Sequence, residues 1–110
     1  MSKELNGKVA LVTGGSRGIG AAIANALADD GADVAISYAA SAGKAEAVVK
    51  ELRKKGMRAE AFKADQAKPA EVEALVKTVV ERFGRLDILV NNAGVFVMGQ
   101  VHDPNNGFNA

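Results

Sequence analysis

The chain contains one segment in which glycine recurs at short intervals, Thr13-Gly14-Gly15-Ser16-Arg17-Gly18-Ile19-Gly20. An apolar run precedes this segment and a helical pattern follows it, so the glycines lie where a strand passes into a helix. The first turn of a helix carries unpaired N–H groups and a partial positive charge, and both favour a bound anion such as pyrophosphate. Because side chains here would block the approach of the anion, the segment predicts a phosphate-binding turn. A tight strand-to-helix connection without a ligand is the alternative.

Short apolar runs alternate with segments of helical length along the whole chain. The runs predicted to be strands are residues 8–13, 33–38, 57–63 and 86–90. Helices are predicted between them over about 17–30, about 43–55 and from Pro69 to a stop at Gly84. The third helix has the clearest pattern, with these apolar residues on one face: Val72, Leu75, Val76, Val79, Val80 and Phe83. Lys68 stands where a capping Ser, Thr, Asp or Asn is expected before it.

This alternation of strands and helices indicates βαβ units, whose right-handed crossovers place helices on the faces of a parallel sheet. We predict an α/β fold with a Rossmann-like, doubly wound parallel sheet in the strand order 3-2-1-4. After Gly94 the pattern fades, so residues 1–95 are predicted to form the domain and residues 96–110 an irregular tail. The fourth strand would then be an apolar edge, which predicts a homo-oligomer formed through that edge.

The composition excludes several classes of function. The 110 residues are 48% hydrophobic and 25% charged, and no apolar run approaches the roughly 18 residues that a membrane span needs. The start lacks the apolar stretch of a secretory signal, so we expect a cytoplasmic protein without a membrane partner. Fourteen cations and thirteen anions are scattered along the chain, without the basic field that nucleic-acid binding needs. With His102 as the single histidine and no cysteine, we predict no metal site.

Three motifs stand in the order and spacing of a known family. They are the T-G-x-x-x-G-x-G turn of residues 13–20, Asp65 after the third strand, and Asn91-Asn92-Ala93-Gly94 after the fourth. With these motifs, the chain from about Gly7 to Val95 resembles the short-chain dehydrogenases/reductases, in particular the 3-oxoacyl-(acyl carrier protein) reductase type. The general G-x-G-x-x-G fingerprint does not match, because residues 18–23 lack its third small residue. The resemblance implies an oxidoreductase of a carbonyl/alcohol pair and a dinucleotide cofactor.

The resemblance also assigns residues to that cofactor. Asp65 would accept a hydrogen bond from the adenine amino group, and Gln66 would contribute only its backbone. Asn91, Ala93 and Gly94 would line the adenosine and ribose side of the pocket. From the residues alone, Asp65 can also be an exposed loop acid, and Asn91 can be a brace at the end of its strand. The cofactor-binding residues predicted in the glycine turn are Gly14, Ser16, Arg17, Gly18, Ile19 and Gly20.

The end of the second strand bears on the choice of dinucleotide. An acid at this place binds the ribose 2′-hydroxyl of NAD and would repel a 2′-phosphate, but residues 37–41 contain no carboxylate. Arg17 precedes Gly18, where NADP-preferring members of the family are similar in carrying a cation that can pair with the phosphate. NADP is therefore predicted in preference to NAD. Tyr38 and Ser41 are candidate hydroxyl donors to the 2′-phosphate, and a helix cap is the alternative role for Ser41.

The proton donor of the family is missing from these residues. The family's reductases use a Tyr-x-x-x-Lys pair with a serine and an asparagine, in which the lysine lowers the tyrosine pKa. Here the only tyrosine is Tyr38, and Ala42 stands four residues after it. We therefore predict no catalytic residue and a truncated fold, a natural or constructed piece that is inactive alone. The alternatives are a non-catalytic dinucleotide-binding or interaction module and an engineered half-Rossmann domain.

Overall fold

The computed structural model describes residues 4–16, 18–91 and 94–97, and for the last four we describe the backbone alone. The elements in these ranges follow in the order β1 (Val9–Val12), α1 (Gly18–Asp29), β2 (Asp33–Tyr38), α2 (Ala42–Lys54), β3 (Ala59–Lys63), α3 (Pro69–Phe83), β4 (Ile88–Asn91) and β5 (Gly94–Val97). The four predicted strands and the three predicted helices are confirmed. The fifth strand was not predicted.

The strands form one sheet in the order β3-β2-β1-β4-β5. The pairs β1–β2, β2–β3 and β1–β4 are parallel, so the predicted order 3-2-1-4 is confirmed. The chain proceeds outward from β1 to β3 and then returns to add β4 on the other side of β1. In such sheets, ligands bind outside the carboxyl ends of the strands at the place where the order reverses. That place lies between β1 and β4, next to the glycine-rich segment.

β4 is not the edge strand that the sequence predicts. β5 pairs with it in antiparallel register, with Ile88 opposite Val97 and Asn91 opposite Gly94. The predicted exposed edge of the fourth strand is therefore wrong, because backbone pairing with β5 covers it, as edge strands generally require. β5 also extends regular structure to residue 97, into the stretch predicted to be irregular. Residues 98–110 lie outside the described residues.

Alternate residues of the central strands enter two separate cores. The face that carries Val12, Ile36 and Val90 packs against α1 and α2, and the opposite face packs against α3. The residues of that second core are Val9, Leu11, Ala35, Ala64, Leu75, Val76, Val79, Phe83, Leu86 and Leu89. Among the described side chains, Ile19 is the one large hydrophobic residue that is exposed. The expected bare apolar surface beside β4 is therefore not found in this part of the chain.

α3 begins at Pro69 although Lys68 offers no side-chain cap. Its last turn is tied to the start of β3 by Arg58, whose Nη2 donates a hydrogen bond of 2.6 Å to the carbonyl oxygen of Arg82. The Arg58 guanidinium also lies 4.6 Å from the centroid of the Phe83 ring, a cation–π geometry. The C-terminal end of the helix is therefore held close to the start of β3. Within the described ranges, none of the helices has the length and apolar character that crossing a bilayer requires.

Asp87 joins the amino ends of β1 and β4. Its Oδ2 accepts hydrogen bonds from the Val9 N–H at 2.9 Å and from Arg85 Nε at 2.8 Å, while its Oδ1 accepts one from Arg85 Nη2 at 2.8 Å. Burial by itself raises the pKa of Asp87, but the hydrogen bonds from Arg85 and Val9 and the positive charges of Arg85 and Lys8 together lower it. This ion pair stabilises the sheet at the amino ends of β1 and β4, opposite the carboxyl ends at which the glycine turn lies.

Candidate functional site

The turn between β1 and α1 is fixed by both strands that flank β1. On the β4 side, the Thr13 N–H and hydroxyl donate hydrogen bonds of 2.9 and 3.3 Å to the carbonyl oxygen of Val90. On the β2 side, the Gly14 N–H donates to the Ser37 hydroxyl at 3.2 Å, and the Gly15 N–H donates to the Ser37 carbonyl oxygen at 3.1 Å. Hydrogen bonds from both neighbouring strands therefore hold the turn in position. The sequence analysis did not identify this role of Ser37.

Two glycines of the turn are required by the backbone itself. Gly18 has a φ of 59°, a backbone conformation that residues other than glycine rarely adopt. A Cβ added at Gly20 would lie 2.2 Å from the carbonyl oxygen of Gly14, so the start of α1 packs directly on the turn. This close approach keeps the N-terminus of the helix and the turn together, which is the arrangement that anion binding needs.

A cleft of about 670 Å³ opens beside the turn. Its walls are the glycine turn, the end of β2 and the segment that follows β3. Eight residues predicted from the sequence line it, namely Gly14, Ser16, Ile19, Gly20, Tyr38, Ser41, Asp65 and Gln66. Its volume falls within the roughly 300–1,000 Å³ of small-molecule and cofactor sites. Residues from three distant parts of the sequence therefore meet in one cavity of suitable size.

The remaining predicted residues lie apart from this cleft or outside the described residues. Gly18 begins α1 and is exposed, and Asn91 ends β4 at the same edge of the sheet as the turn. Gly94 begins β5, opposite Asn91. Arg17 and Ala93 lie outside the described residues, so the predicted contact of Arg17 with a 2′-phosphate stays a prediction.

Asp65 is half-buried and organised by the turn in which it lies. Its Oδ1 accepts a hydrogen bond of 2.9 Å from the Ala67 N–H, and its carbonyl oxygen accepts one of 3.0 Å from the Lys68 N–H. Its own N–H donates to Glu71 Oε1 at 2.8 Å. Within the described part of the chain, these contacts leave Oδ2 without a partner. Asp65 also lines the cleft, and Oδ2 is its carboxylate oxygen that retains acceptor capacity.

The resemblance implies that only the backbone of Gln66 contacts the cofactor, and this stays a prediction. Gln66 lines the cleft, and its Oε1 is buried without a hydrogen-bond partner among the described residues. A buried acceptor left unpaired costs about 1–3 kcal/mol, so a ligand with an N–H or O–H group would satisfy it. No sequence signal marks this atom, because burial of one amide oxygen depends on how the turn after β3 folds.

The end of β2 presents small and hydroxyl-bearing residues to the cleft, the consecutive residues Tyr38, Ala39, Ala40 and Ser41. No carboxylate stands among them. Ser41 occupies the cap position of α2, but its side chain makes no capping hydrogen bond. The hydroxyl of Ser41 is therefore not engaged in the capping contact that was the alternative to ligand binding.

These features together fit a nucleotide better than a metal ion. The tight packing at Gly20 brings a helix N-terminus close to the cleft, the unpaired Gln66 oxygen calls for a donor, and the Asp65 carboxylate retains a free oxygen. Groups of three or more His, Cys, Asp or Glu side chains that could hold a metal are absent from the described residues. The arrangement can bind phosphate at one wall and a base with an amino group at another.

A family model described as short chain dehydrogenase matches residues 8–107. The chain belongs to this family. The match includes the glycine turn, Asp65 and the Asn91 motif, the three features from which the resemblance was inferred. The predicted family and the Rossmann-like fold are therefore confirmed.

Curated relatives are similar over most of this chain but are much longer. An uncharacterized oxidoreductase of Methylorubrum extorquens is 50% identical over 103 residues, which cover 94% of this chain and 41% of that protein. The 3-oxoacyl-[acyl-carrier-protein] reductase FabG of Staphylococcus aureus is 56% identical over 88 residues, which cover 80% of this chain and 36% of the enzyme. The chain thus spans well under half the length of these relatives.

Solved structures show the same fold. A short chain dehydrogenase from Burkholderia cenocepacia in complex with NADP has a TM-score of 0.78 and 59% identity, covering 93% of this chain and 42% of that one. A blue fluorescent protein from a metagenomic library, in complex with NADPH, has a TM-score of 0.77 and 56% identity, covering 86% of this chain and 39% of that one. Both neighbours were therefore solved with a phosphorylated dinucleotide.

Proposed function

We propose that this chain binds NADP(H) in the cleft and forms the cofactor-binding part of an oxidoreductase that interconverts a carbonyl and an alcohol. The observation that carries the proposal is the cleft itself, in which a glycine turn at a helix N-terminus, an acid-free strand end and the Asp65 turn share one cavity. Pyrophosphate, a 2′-phosphorylated ribose and adenine have the chemistry that these three walls respectively suit.

Each wall has a proposed role. The N–H groups at the start of α1 bind the pyrophosphate. Asp65 accepts a hydrogen bond from the adenine amino group through Oδ2, and Gln66 contributes its backbone and its unpaired side-chain oxygen. Arg17, Tyr38 and Ser41 bind the 2′-phosphate. Asn91, Ala93 and Gly94 complete the adenosine and ribose side at the carboxyl end of β4.

The preference for NADP over NAD has two supports. Residues 37–41 hold no acid that would repel a 2′-phosphate, and the Burkholderia and metagenomic neighbours carry NADP and NADPH. The test is calorimetric titration of the purified chain with NADPH and NADH. We expect tighter binding of NADPH and a smaller preference in Arg17→Ala, with Lys77→Ala on the exposed face of α3 as the matched control.

A second variant tests the same assignment in the opposite direction. Ala39→Asp puts a carboxylate at the end of β2, where it would face the phosphate, and like charges brought together are unfavourable. We expect it to weaken NADPH binding at least about tenfold and to leave NADH binding less affected. Equal affinity of the wild-type chain for both cofactors, unchanged in both variants, would contradict the proposal.

When bound, the nicotinamide supplies hydride transfer, while the residues of this chain bind and orient it. The 110 residues hold no Tyr-x-x-x-Lys pair, and Tyr38 lines the cleft at the end of β2. We therefore propose that this chain alone binds the cofactor without reducing a carbonyl. Oxidation of NADPH with an acetoacetyl thioester, at a rate that follows the protein through a column and is lost in Gly18→Asp, would contradict this.

The alternative functions have less support. An interaction module that pairs through the edge of β4 lacks its basis, because β5 occupies that edge. A non-catalytic dinucleotide-binding module would show the same binding as the proposed function and differs only in the absence of a catalytic partner segment. Self-association, a cytoplasmic location, and a domain boundary at residue 95 stay predictions.

A further inference from the structure

Glu71 lies in the first turn of α3, outside the lining of the cleft, and contacts the turn that follows β3. Its Oε1 accepts a hydrogen bond of 2.8 Å from the N–H of Asp65, six residues earlier in the chain. Its Oε2 lies 3.7 Å from Nζ of Lys68. Glu71 therefore connects the helix to Asp65, a residue that lines the cleft.

This contact differs from the usual one at the start of a helix. A glutamate at the third helical position commonly accepts a hydrogen bond from the N–H of the capping residue. Here Lys68 is the capping residue, and its N–H donates instead to the carbonyl oxygen of Asp65 at 3.0 Å. The carboxylate of Glu71 therefore accepts a hydrogen bond from the N–H of Asp65 and not from that of Lys68. Asp65 precedes Lys68 by three residues and lines the cleft.

The consequence is that Asp65 is held at two points. Glu71 fixes its backbone N–H, and the Ala67 N–H fixes Oδ1 at 2.9 Å. The direction of the remaining oxygen, Oδ2, depends on both contacts. We infer that Glu71 is a positioning residue that sets the selectivity of the cleft for adenine, an inference that rests on the proposed function of Asp65 as acceptor for the adenine amino group.

The test compares NADPH with its deamino analogue, in which hypoxanthine carries a carbonyl oxygen in place of the amino group. A fixed carboxylate favours the amino group and repels the carbonyl oxygen, so we expect the wild-type chain to prefer NADPH by about tenfold or more. Glu71→Ala should reduce this ratio to within about twofold. Glu71→Gln keeps an acceptor oxygen and should retain most of it. Glu73→Ala, at an exposed position of the same helix, is the matched control.

The ratio separates positioning from a general structural role. If Glu71 only stabilises the fold, Glu71→Ala weakens binding of both cofactors equally and leaves the ratio intact, which would overturn the inference. Cooperative unfolding is measured for each variant, and Glu71→Asp, one methylene shorter, replaces Glu71→Ala if that variant does not fold.

Two further outcomes distinguish the inference from the proposed function. A wild-type chain that binds neither cofactor overturns the proposed function and the inference with it. A preference for NADPH that disappears in Asp65→Asn but persists in Glu71→Ala overturns the inference alone and leaves the proposed function in place.

Discussion

The backbone N–H of Gly14 donates a hydrogen bond of 3.2 Å to the hydroxyl of Ser37, which lies buried near the end of β2. The same serine accepts the Gly15 N–H on its carbonyl oxygen. One residue of the neighbouring strand thus satisfies two successive N–H groups of the glycine turn. The proposed contacts with pyrophosphate therefore involve the N–H groups at the start of α1.

Ser37→Ala removes the hydroxyl that accepts the Gly14 N–H and keeps the backbone carbonyl that accepts the Gly15 N–H. Because the Gly14 N–H then loses its partner, we expect the free energy of unfolding to fall by about 1–3 kcal/mol, and NADPH binding to weaken. Urea unfolding followed by circular dichroism and cofactor titration measure the two effects. Ser41→Ala is the control for stability, since its side chain makes no capping bond. Equal stability of Ser37→Ala and the wild type would contradict the anchoring role.

Gly20→Ala tests the contact between α1 and the glycine turn. Its Cβ would lie 2.2 Å from the Gly14 carbonyl oxygen, and relieving such an overlap costs about 1–3 kcal/mol. We therefore expect both lower stability and a loss of NADPH affinity. Gly43→Ala in α2 is the control, because no atom lies within 4 Å of its added Cβ, and we expect it to stabilise the chain by up to about 1 kcal/mol. Similar behaviour of the two variants would argue against the close contact.

Gln66→Met replaces a buried, unpaired oxygen with an apolar group of similar shape. We expect the free chain to become more stable by about 1 kcal/mol, while the stabilisation that NADPH provides becomes smaller. Thermal unfolding with and without NADPH measures both quantities. A destabilised free chain would mean that the Gln66 oxygen has a partner in solution.

Stability should depend on pH through Asp87. Its pKa in the folded chain is lowered from an ordinary value of 3.8, so the unfolded chain binds the proton first as the pH falls. The stabilisation is complete above that value and is lost as the pH falls below it and through the folded pKa. We expect Asp87→Asn to be less stable at pH 7 and to show a weaker dependence on pH below about 4. Glu46→Gln, which removes an exposed carboxylate from α2, should leave the dependence unchanged.

The parallel sheet and its helices could be predicted because their patterns are local. The apolar spacing from Val72 to Phe83 and the glycine after each helix mark elements that tertiary packing then reinforces. β5 could not be predicted in the same way, since the four residues Gly94–Val97 are too few to show a period. Its pairing depends on the backbone edge of β4, which no local sequence pattern marks.

The residues of the candidate site also differ in whether the sequence predicts them. The glycine turn and Asp65 belong to motifs with fixed spacing, so they can be identified from the sequence alone. Ser37, Gln66 and Glu71 contribute through single side-chain atoms whose direction is set by the fold. A serine inside a strand or a glutamate in a helix has many possible partners, and spacing does not select among them.

The hairpin of β4 and β5 has a consequence for the order in which the sheet assembles. In every other strand pair, at least one helix lies between the two strands in the sequence. The pair of β1 and β4 joins residues as far apart in the chain as Ala10 and Ile88. β5 needs only the two residues after Asn91 to return. Because the entropy lost on closing a loop rises with its length, the hairpin can form while the long parallel pairings are still open. One backbone edge of β4 would then be paired with β5 before β1 pairs with the other edge.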